Sequence, residues 1–266
     1  MRYARPMRRL GPWCLLGYAA GCSIEPTGKG ELAAPTLSDV SRSALNRVLV
    51  FTRTAGFRHE SIEDGLAALK QLASAHGFTI EQTEDGADFN DETLARFDVV
   101  LWLSTTGDVL DAEEQAALER YIRAGGGWVG VHAAADTEYD WPWYGELLGG
   151  GAYFTSHPHI QSARLGVEVA DHASTAHLPP SWMVLDEWYN FRTNPRGVVT
   201  VLMTVDESSY EPGPGAMGSD HPIAWFHEFD GGRSWYTALG HRPELYRDEG
   251  FLQHLLGGIR WAAGLE

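Results

Sequence analysis

Cysteine is nearly absent from this sequence of 266 residues. The two cysteines are Cys14 and Cys22, both close to the N-terminus. The rest of the chain therefore has no thiol for a disulfide, for a cysteine-ligated zinc cluster or for a catalytic nucleophile.

Long apolar runs and an excess of positive charge are also missing. The apolar stretch that starts at Leu10 (LGPWCLLGYAAG) is too short to span a bilayer as a stable helix. The formal net charge is −16 at pH 7. Because so acidic a chain is repelled by phosphate backbones, we do not expect it to bind DNA or RNA.

The N-terminus has the composition of an export signal. Residues 1–21 contain four arginines and no acidic residue, and they include the short apolar stretch, which is typical of a signal peptide. AAGC (19–22) resembles a bacterial lipobox, in which lipid is attached to the cysteine. The alternative is an ordinary secretory signal with an incidental cysteine.

These features predict an exported lipoprotein. We expect residues 1–21 to be removed, Cys22 to carry the lipid and residues 22–45 to form a flexible tether, because they are small, polar and contain proline. Loss of the four arginines changes the formal charge from −16 to −20. Ser23 after the cysteine resembles lipoproteins of the outer membrane. The predicted location is the periplasmic side, with the lipid as the contact with the membrane and residues 46–266 as one domain.

Apolar runs of strand length alternate with segments of helical period in the first half of this domain. RVLVFT (47–52) is followed by a helix predicted over Ser61 to His76 and ended by Gly77. Further strands are predicted at 78–82, 98–103 and 128–131, with helices over 90–97 and 111–124. This alternation indicates an α/β fold with a doubly wound, mostly parallel sheet and helices on both faces.

The second half is less regular. Strands are predicted at 198–205, 223–229 and 234–239, the last two as a C-terminal β-hairpin, and Asp248 begins a closing helix. Residues 140–198 are rich in aromatic side chains, histidine and proline. We interpret them as an inserted, aromatic-rich cap over one end of the sheet.

Three histidines directly follow predicted strands. Ligands of open parallel sheets bind beyond the carboxyl ends of the strands, and His59, His132 and His241 follow the first, fourth and last strands. Asp136 is close enough in the chain to orient the ring of His132. The sequence therefore predicts a catalytic pocket centred on His132, which acts as a base.

Other polar residues are candidates for binding substrate, and they come from the same loops, from the aromatic segment and from the start of the strand at 223–229. They are Arg58, Thr105, His157, Glu187, Tyr189, Asp220 and His221. A carboxylate beside aromatic faces suits a sugar ring, although Glu187 to Asn190 would also fit a packed cap. Asp220 and His221 would also fit a role in fixing a turn.

Metal binding and cofactors stay open at this point. The pair His157 and His159 has a spacing that allows two imidazoles to ligate a divalent ion, but the sequence shows no certain third ligand.

Several longer motifs resemble the ThuA-like family, which is named for a protein of trehalose utilisation. The resemblance runs from about residue 47 to 264 and is carried by TRTAGFRHESI (52–62), GGGWVGVHAAAD (125–136), YGELLGGGAYFTSHP (144–158), DEWYNF (186–191), MGSDHPIAWFHEFDGGRSWYTALGH (217–241) and FLQHLLGGIRWAAG (251–264). It implies a flavodoxin-like fold similar to class I glutamine amidotransferases and a loose association with sugar metabolism.

The resemblance also excludes one activity. In the amidotransferase-like fold, the turn after this strand is a nucleophile elbow that bears cysteine, and His132 stands there instead. Because no other cysteine lies in the domain, hydrolysis of glutamine through a thioester is not expected.

Three hypotheses about function follow. The first is an exported enzyme that hydrolyses or isomerises a carbohydrate or sugar derivative, with His59, Arg58 and His241 holding substrate oxygens. The second is a sugar-binding lipoprotein without catalysis. The third is a metal-dependent hydrolase that uses His157 and His159.

Overall fold

The computed structural model describes residues 44–265. The strands are β1 Arg47–Phe51, β2 Thr79–Thr83, β3 Val99–Leu103, β4 Gly127–Val131, β5 Phe154–Ser156, β6 Gln161–Val167, β7 Ser181–Asp186, β8 Asn190–Phe191, β9 Thr200–Asp206, β10 Pro222–Phe229 and β11 Gly232–Thr237. The helices are α1 Ser61–His76, α2 Asp91–Leu94, α3 Ala112–Arg123, α4 Pro142–Gly149 and α5 Glu249–Ala262. The predicted signal peptide and Cys22 lie outside the described residues.

Nine strands form one sheet in the order β2-β1-β3-β4-β11-β10-β9-β6-β7. The first five strands in this order pair in parallel. Strands β10 and β6 run in the opposite direction to the others, because every pair from β11 to β7 is antiparallel. All residues of β3 and β4 are buried, as expected for parallel strands covered on both faces. The predicted α/β fold with a mostly parallel sheet is confirmed.

Helices cover both faces of this sheet. Alternate side chains of a strand point to opposite faces. The ring of Trp128 in β4 packs against Tyr144 of α4, with centroids 5.7 Å apart. The neighbouring Gly127 faces Ala262 of α5, whose carbonyl oxygen would lie only 2.3 Å from an added Cβ. Helices α4 and α5 therefore lie on opposite faces of β4.

The predicted ends of two helices are also observed. Gly77 has a φ of +76° and ends α1 in the left-handed conformation. Asp111 accepts hydrogen bonds from the first turn of α3, and the Glu114 carboxylate accepts one from the Asp111 amide, which completes a capping box.

The second half adds more strands to the sheet than the sequence predicts. The hairpin of β10 and β11 is confirmed, and β11 inserts between β4 and β10. The segment 140–198 supplies α4, a small ribbon of β5 and β8, and strands β6 and β7, which extend the edge of the main sheet. The segment interpreted as a cap thus becomes partly sheet. No helix within residues 44–265 is long and apolar enough to cross a bilayer.

Candidate functional site

His132 occupies a strained turn at the carboxyl end of β4. It begins the short 3₁₀ turn His132–Asp136, and its φ is +51°. A residue other than glycine adopts this left-handed conformation at a cost on the order of 1–3 kcal/mol. The side chain is fully buried. The turn therefore holds the imidazole rigidly at the edge where parallel sheets bind their ligands.

Two residues of the β11 region fix the position of His132. The Nδ1 of His132 donates to the carbonyl oxygen of Ala238 at 2.7 Å, because a carbonyl can only accept. The hydroxyl of Tyr236 donates to the carbonyl oxygen of His132 at 2.8 Å. In the neutral ring the proton therefore stays on Nδ1, and the lone pair of Nε2 is left for another partner.

Four side chains from separate segments meet at this point. His59 comes from the loop after β1, His132 follows β4, Glu187 follows β7 and His241 lies in the loop after β11. The ring centroids of His59 and His132 are 4.8 Å apart, and the ring of His241 is 5.2 Å from each of them. We call these four residues the His59 cluster. The three histidines that were predicted from their positions after strands therefore lie close together.

Glu187 connects the histidines through its carboxylate. One oxygen, Oε2, lies 3.5 Å from Nε2 of His132 and 3.2 Å from Nδ1 of His241. The other oxygen, Oε1, lies 2.9 Å from Nδ1 of His157, which is also 2.8 Å from the carbonyl oxygen of Pro158. The carboxylate is 8% exposed, so these imidazoles replace most of its contact with water.

The protonation states inside the cluster differ. Burial, followed by the proximity of His132 and His241, lowers the pKa of His59 to about 3, so its ring is neutral. Burial would raise the pKa of Glu187, but the imidazoles of His132 and His241 hold that pKa well below its usual range. Burial also opposes the charged form of His241, but the hydrogen bond and charge of Glu187 outweigh it and raise the pKa of His241. A carboxylate, a neutral ring and a proton-accepting ring therefore share one site.

Asp186 supports the cluster from behind. Its fully buried carboxylate accepts hydrogen bonds from the amides of Gly240 at 2.8 Å and Arg242 at 3.1 Å, the residues on either side of His241. Sequence reasoning did not select Asp186, although it belongs to the DEWYNF motif directly before Glu187.

Tyr189 and His221 form the wall beside His132. The ring of Tyr189 lies 4.2 Å from the rings of both His132 and Phe154. The Nε2 of His221 donates to the carbonyl oxygen of Tyr189 at 2.8 Å, and its Nδ1 lies 2.9 Å from Glu207. His221 therefore positions the wall and does not reach the cluster itself.

Four other predicted residues lie outside the cluster. Arg58 forms surface ion pairs with Glu63 and Glu84. The hydroxyl of buried Thr105 lies 3.0 Å from the hydroxyl of Thr137. Asp136 accepts a hydrogen bond of 2.6 Å from the hydroxyl of Tyr139. Asp220 forms a surface ion pair with Arg196. The expected orientation of His132 by Asp136 is therefore provided instead by the carbonyl of Ala238.

The two histidines of the predicted metal pair differ in their contacts. His157 contacts Glu187, whereas His159 is exposed. A different set has the composition of a metal centre: each residue of the His59 cluster offers one ligand atom, and no two of these atoms are more than 4.8 Å apart. The same groups are also suited to proton transfer, because imidazole and carboxylate are the usual acids and bases of enzymes.

Most of the chain matches one family model. A family model for ThuA, described as trehalose utilisation, matches residues 47–262. The chain belongs to the ThuA family.

Solved structures similar to this ThuA protein include two bacterial ThuA-like proteins. The one from Bacteroides uniformis ATCC 8492 is 27% identical with a TM-score of 0.72, and the match covers 83% of this chain and 93% of that chain. The one from Parabacteroides merdae ATCC 43184 is 21% identical with a TM-score of 0.67 and coverage of 84% and 91%. No curated protein sequence matches the chain.

A larger enzyme shares the fold over part of its length. The beta-galactosidase from Bacillus circulans sp. alkalophilus is 14% identical with a TM-score of 0.53, and the match covers 86% of this ThuA protein but 33% of that chain. At this identity the likeness concerns the fold alone.

Proposed function

We propose that this ThuA protein is an enzyme that hydrolyses or isomerises a sugar or sugar derivative, with the His59 cluster as its active site. The observation that carries the proposal is the convergence of three imidazoles and one carboxylate from four segments of the chain at the carboxyl ends of the strands. Such a group is expensive to bury, which argues for chemistry more than for stability.

The cluster contains groups suited to moving protons in both directions. The neutral ring of His59 and the Nε2 lone pair of His132 are acceptors, whereas the contact with Glu187 favours the protonated form of His241. Sugar hydrolysis and isomerisation both use a base and an acid within reach of the reacting atoms. His132 is the base of the proposal and His241 is the acid.

The surroundings of the cluster suit a sugar. The ring of Phe57 is 66% exposed and its centroid lies 4.9 Å from that of His59, so an apolar face stands beside the polar group. Aromatic faces next to polar groups bind the apolar and hydroxyl sides of a sugar ring. The family description, trehalose utilisation, points to the same class of substrate.

The proposal includes export and a lipid anchor at Cys22. Its support is the arginine-rich, apolar segment before Ala19-Ala20-Gly21-Cys22. Metabolic labelling with a radioactive fatty acid should mark the protein, and Cys22→Ser should abolish the label.

A screen of the purified protein against disaccharides and their keto derivatives, with mass detection of products, tests the activity. His132→Asn should remove turnover while the fold is kept, because asparagine tolerates a left-handed backbone better than alanine does. The matched control is His159→Gln, an exposed histidine outside the cluster, which should keep full turnover. A sugar that raises the melting temperature but is never consumed would instead identify a sugar-binding protein.

A further inference from the structure

We propose that His59, His132, Glu187 and His241 bind one divalent transition-metal ion, with Zn²⁺ as the best match. Three imidazole nitrogens and one carboxylate oxygen form a donor set that zinc accepts, and hard ions such as Mg²⁺ prefer all-oxygen sites. Binding of the ion is independent of the proposed function. A bound ion would occupy the Nε2 lone pair of His132, so in the metal-loaded protein the ion, and not this lone pair, would act on the sugar; that role rests on the proposed function.

The distances among the donor atoms of His132, Glu187 and His241 fit a metal ion better than they fit hydrogen bonds, and the donor atom of His59 lies within 4.8 Å of these three. Ligand atoms about 2.0–2.2 Å from a tetrahedral zinc ion lie roughly 3.3–3.6 Å from one another. The Nε2 of His132 is 3.5 Å from Oε2 of Glu187 and 3.3 Å from Nδ1 of His241, and that Nδ1 is 3.2 Å from the same oxygen. Hydrogen bonds between an imidazolium and a carboxylate would be shorter, at about 2.7–2.9 Å.

Outer contacts leave the correct atoms free for the ion. The carbonyl of Ala238 holds the proton of His132 on Nδ1, which directs the lone pair of Nε2 into the cluster. His157 contacts Oε1 of Glu187 and leaves Oε2 facing the histidines. Metal sites in proteins typically orient their histidine and carboxylate ligands in this way.

His59 has a ring nitrogen that is available to a ligand. The side chain is buried, and its Nδ1 has no hydrogen-bond partner among the described residues. Buried polar nitrogens are normally paired, so this ring has free capacity for a ligand.

The cluster is also accessible and has a suitable charge. The side chain of His241 is 21% exposed, which gives water and ions a route to the site. With neutral histidines the carboxylate of Glu187 leaves one negative charge there, so a divalent ion gives a net charge of about +1. That charge would attract a sugar hydroxyl or carbonyl oxygen, and the ion would polarise this oxygen by expanding from four to five ligands.

Metal binding can be measured without any substrate. The full chain, purified in detergent and stripped with a chelator, is titrated with Co²⁺ and Zn²⁺, with visible absorption and metal analysis as readouts. We expect about one equivalent of ion and the absorption band of tetrahedral Co²⁺. Glu187→Gln and His241→Ala should weaken binding by more than the roughly 10–100-fold that loss of an outer partner causes. His159→Gln, the matched control, should bind as the wild type does.

A second measurement avoids variants that fail to fold. In the wild-type protein, ¹⁵N NMR of the histidine rings should show that Zn²⁺ shifts His59, His132 and His241 and leaves His254 unchanged. Failure of the wild type to bind any of Zn²⁺, Co²⁺, Fe²⁺, Mn²⁺ or Ni²⁺ would overturn the inference, and so would saturable binding that both cluster variants retain. Metal binding without turnover would reject the proposed enzyme and keep the metal site. Turnover in the metal-free protein would keep the proposed enzyme and reject the role of the ion in the reaction.

Discussion

Asp186 and Gly240 join two distant parts of the sheet through one hydrogen bond, in which Oδ2 of Asp186 accepts from the Gly240 amide at 2.8 Å. The same carboxylate accepts from the amide of Arg242 at 3.1 Å. Because His241 stands between these two amides, the position of its imidazole depends on a carboxylate outside the His59 cluster.

Asp186→Asn should therefore act through the position of His241. The side-chain NH₂ of asparagine cannot accept a hydrogen bond. It would point at the main-chain N–H of either Gly240 or Arg242 and leave that N–H without a partner. We expect Co²⁺ affinity and turnover to fall about 10–100-fold, and stability to fall by about 1–3 kcal/mol. Cobalt titration and chemical denaturation measure these effects. Asp220→Asn, at a half-exposed surface ion pair, is the control and should leave metal affinity unchanged.

The backbone of His132 predicts an order of stability among its variants. At a φ of +51°, asparagine and glycine should fit better than alanine, by on the order of 1 kcal/mol. The alanine and glycine variants both lose the hydrogen bond to Ala238, so the comparison of these two isolates the backbone, whereas the asparagine amide can still donate to that carbonyl. Thermal denaturation should place His132→Ala below both others. An alanine variant as stable as the glycine variant would show that the turn relaxes without cost.

Close contact between β4 and α5 predicts that Gly127 tolerates no side chain. A Cβ there would lie 2.3 Å from the carbonyl oxygen of Ala262. Because this oxygen belongs to the main chain of a packed helix, it cannot move away as a flexible side chain could. Gly127→Ala should destabilise the protein by at least about 1–3 kcal/mol. The control is Gly197→Ala, where nothing lies within 4 Å of the added atom. Urea denaturation of the two variants should show a large change in the first and almost none in the second.

Buried His254 predicts a loss of stability in mild acid. Its nitrogens contact the carbonyl of Ser174 and the hydroxyl of Thr237, and burial lowers its pKa to about 3. In the unfolded chain this ring has a pKa of about 6.5, so below that pH the unfolded chain binds a proton that the folded chain does not bind. The contribution of His254 to the free energy of unfolding is therefore complete above pH 6.5. It falls by up to about 1.4 kcal/mol for each pH unit as the pH drops toward 3.

Denaturation curves between pH 7 and pH 4 test this contribution. His254→Gln should lower stability at neutral pH, because the packed ring is lost, and should reduce the slope of stability against pH. The control His159→Gln should keep the wild-type slope. An unchanged slope in His254→Gln would contradict the assignment.

Local sequence signals predicted the parallel half of the fold well. Short β-branched runs, helical periodicity, Gly77 and the Asp111 capping box each act over a few residues, and the structure has these elements at the expected places. The rule that ligands bind beyond the carboxyl ends of parallel strands then selected His59, His132 and His241, because this rule depends only on where strands stop.

The remaining features depend on pairings between distant segments. Strands β6 and β7 are antiparallel additions to the sheet edge, and their position decides that Glu187 reaches the histidines. No local pattern encodes that pairing, so Glu187 was selected for its aromatic neighbours and Asp186 was missed. The spacing of His157 and His159 suggested a pair, but only His157 turns toward Glu187.

The central place of β11 in the sheet has a consequence for synthesis on the ribosome. This strand lies between β4 and β10 although it is the last strand to be translated, and the residues that follow it supply Ala238 and His241. A nascent chain that stops before residue 232 would expose both neighbouring strand edges and carry an incomplete cluster. A premature stop codon late in the reading frame should therefore yield an incompletely folded product that cellular proteases degrade, and not a shorter folded protein.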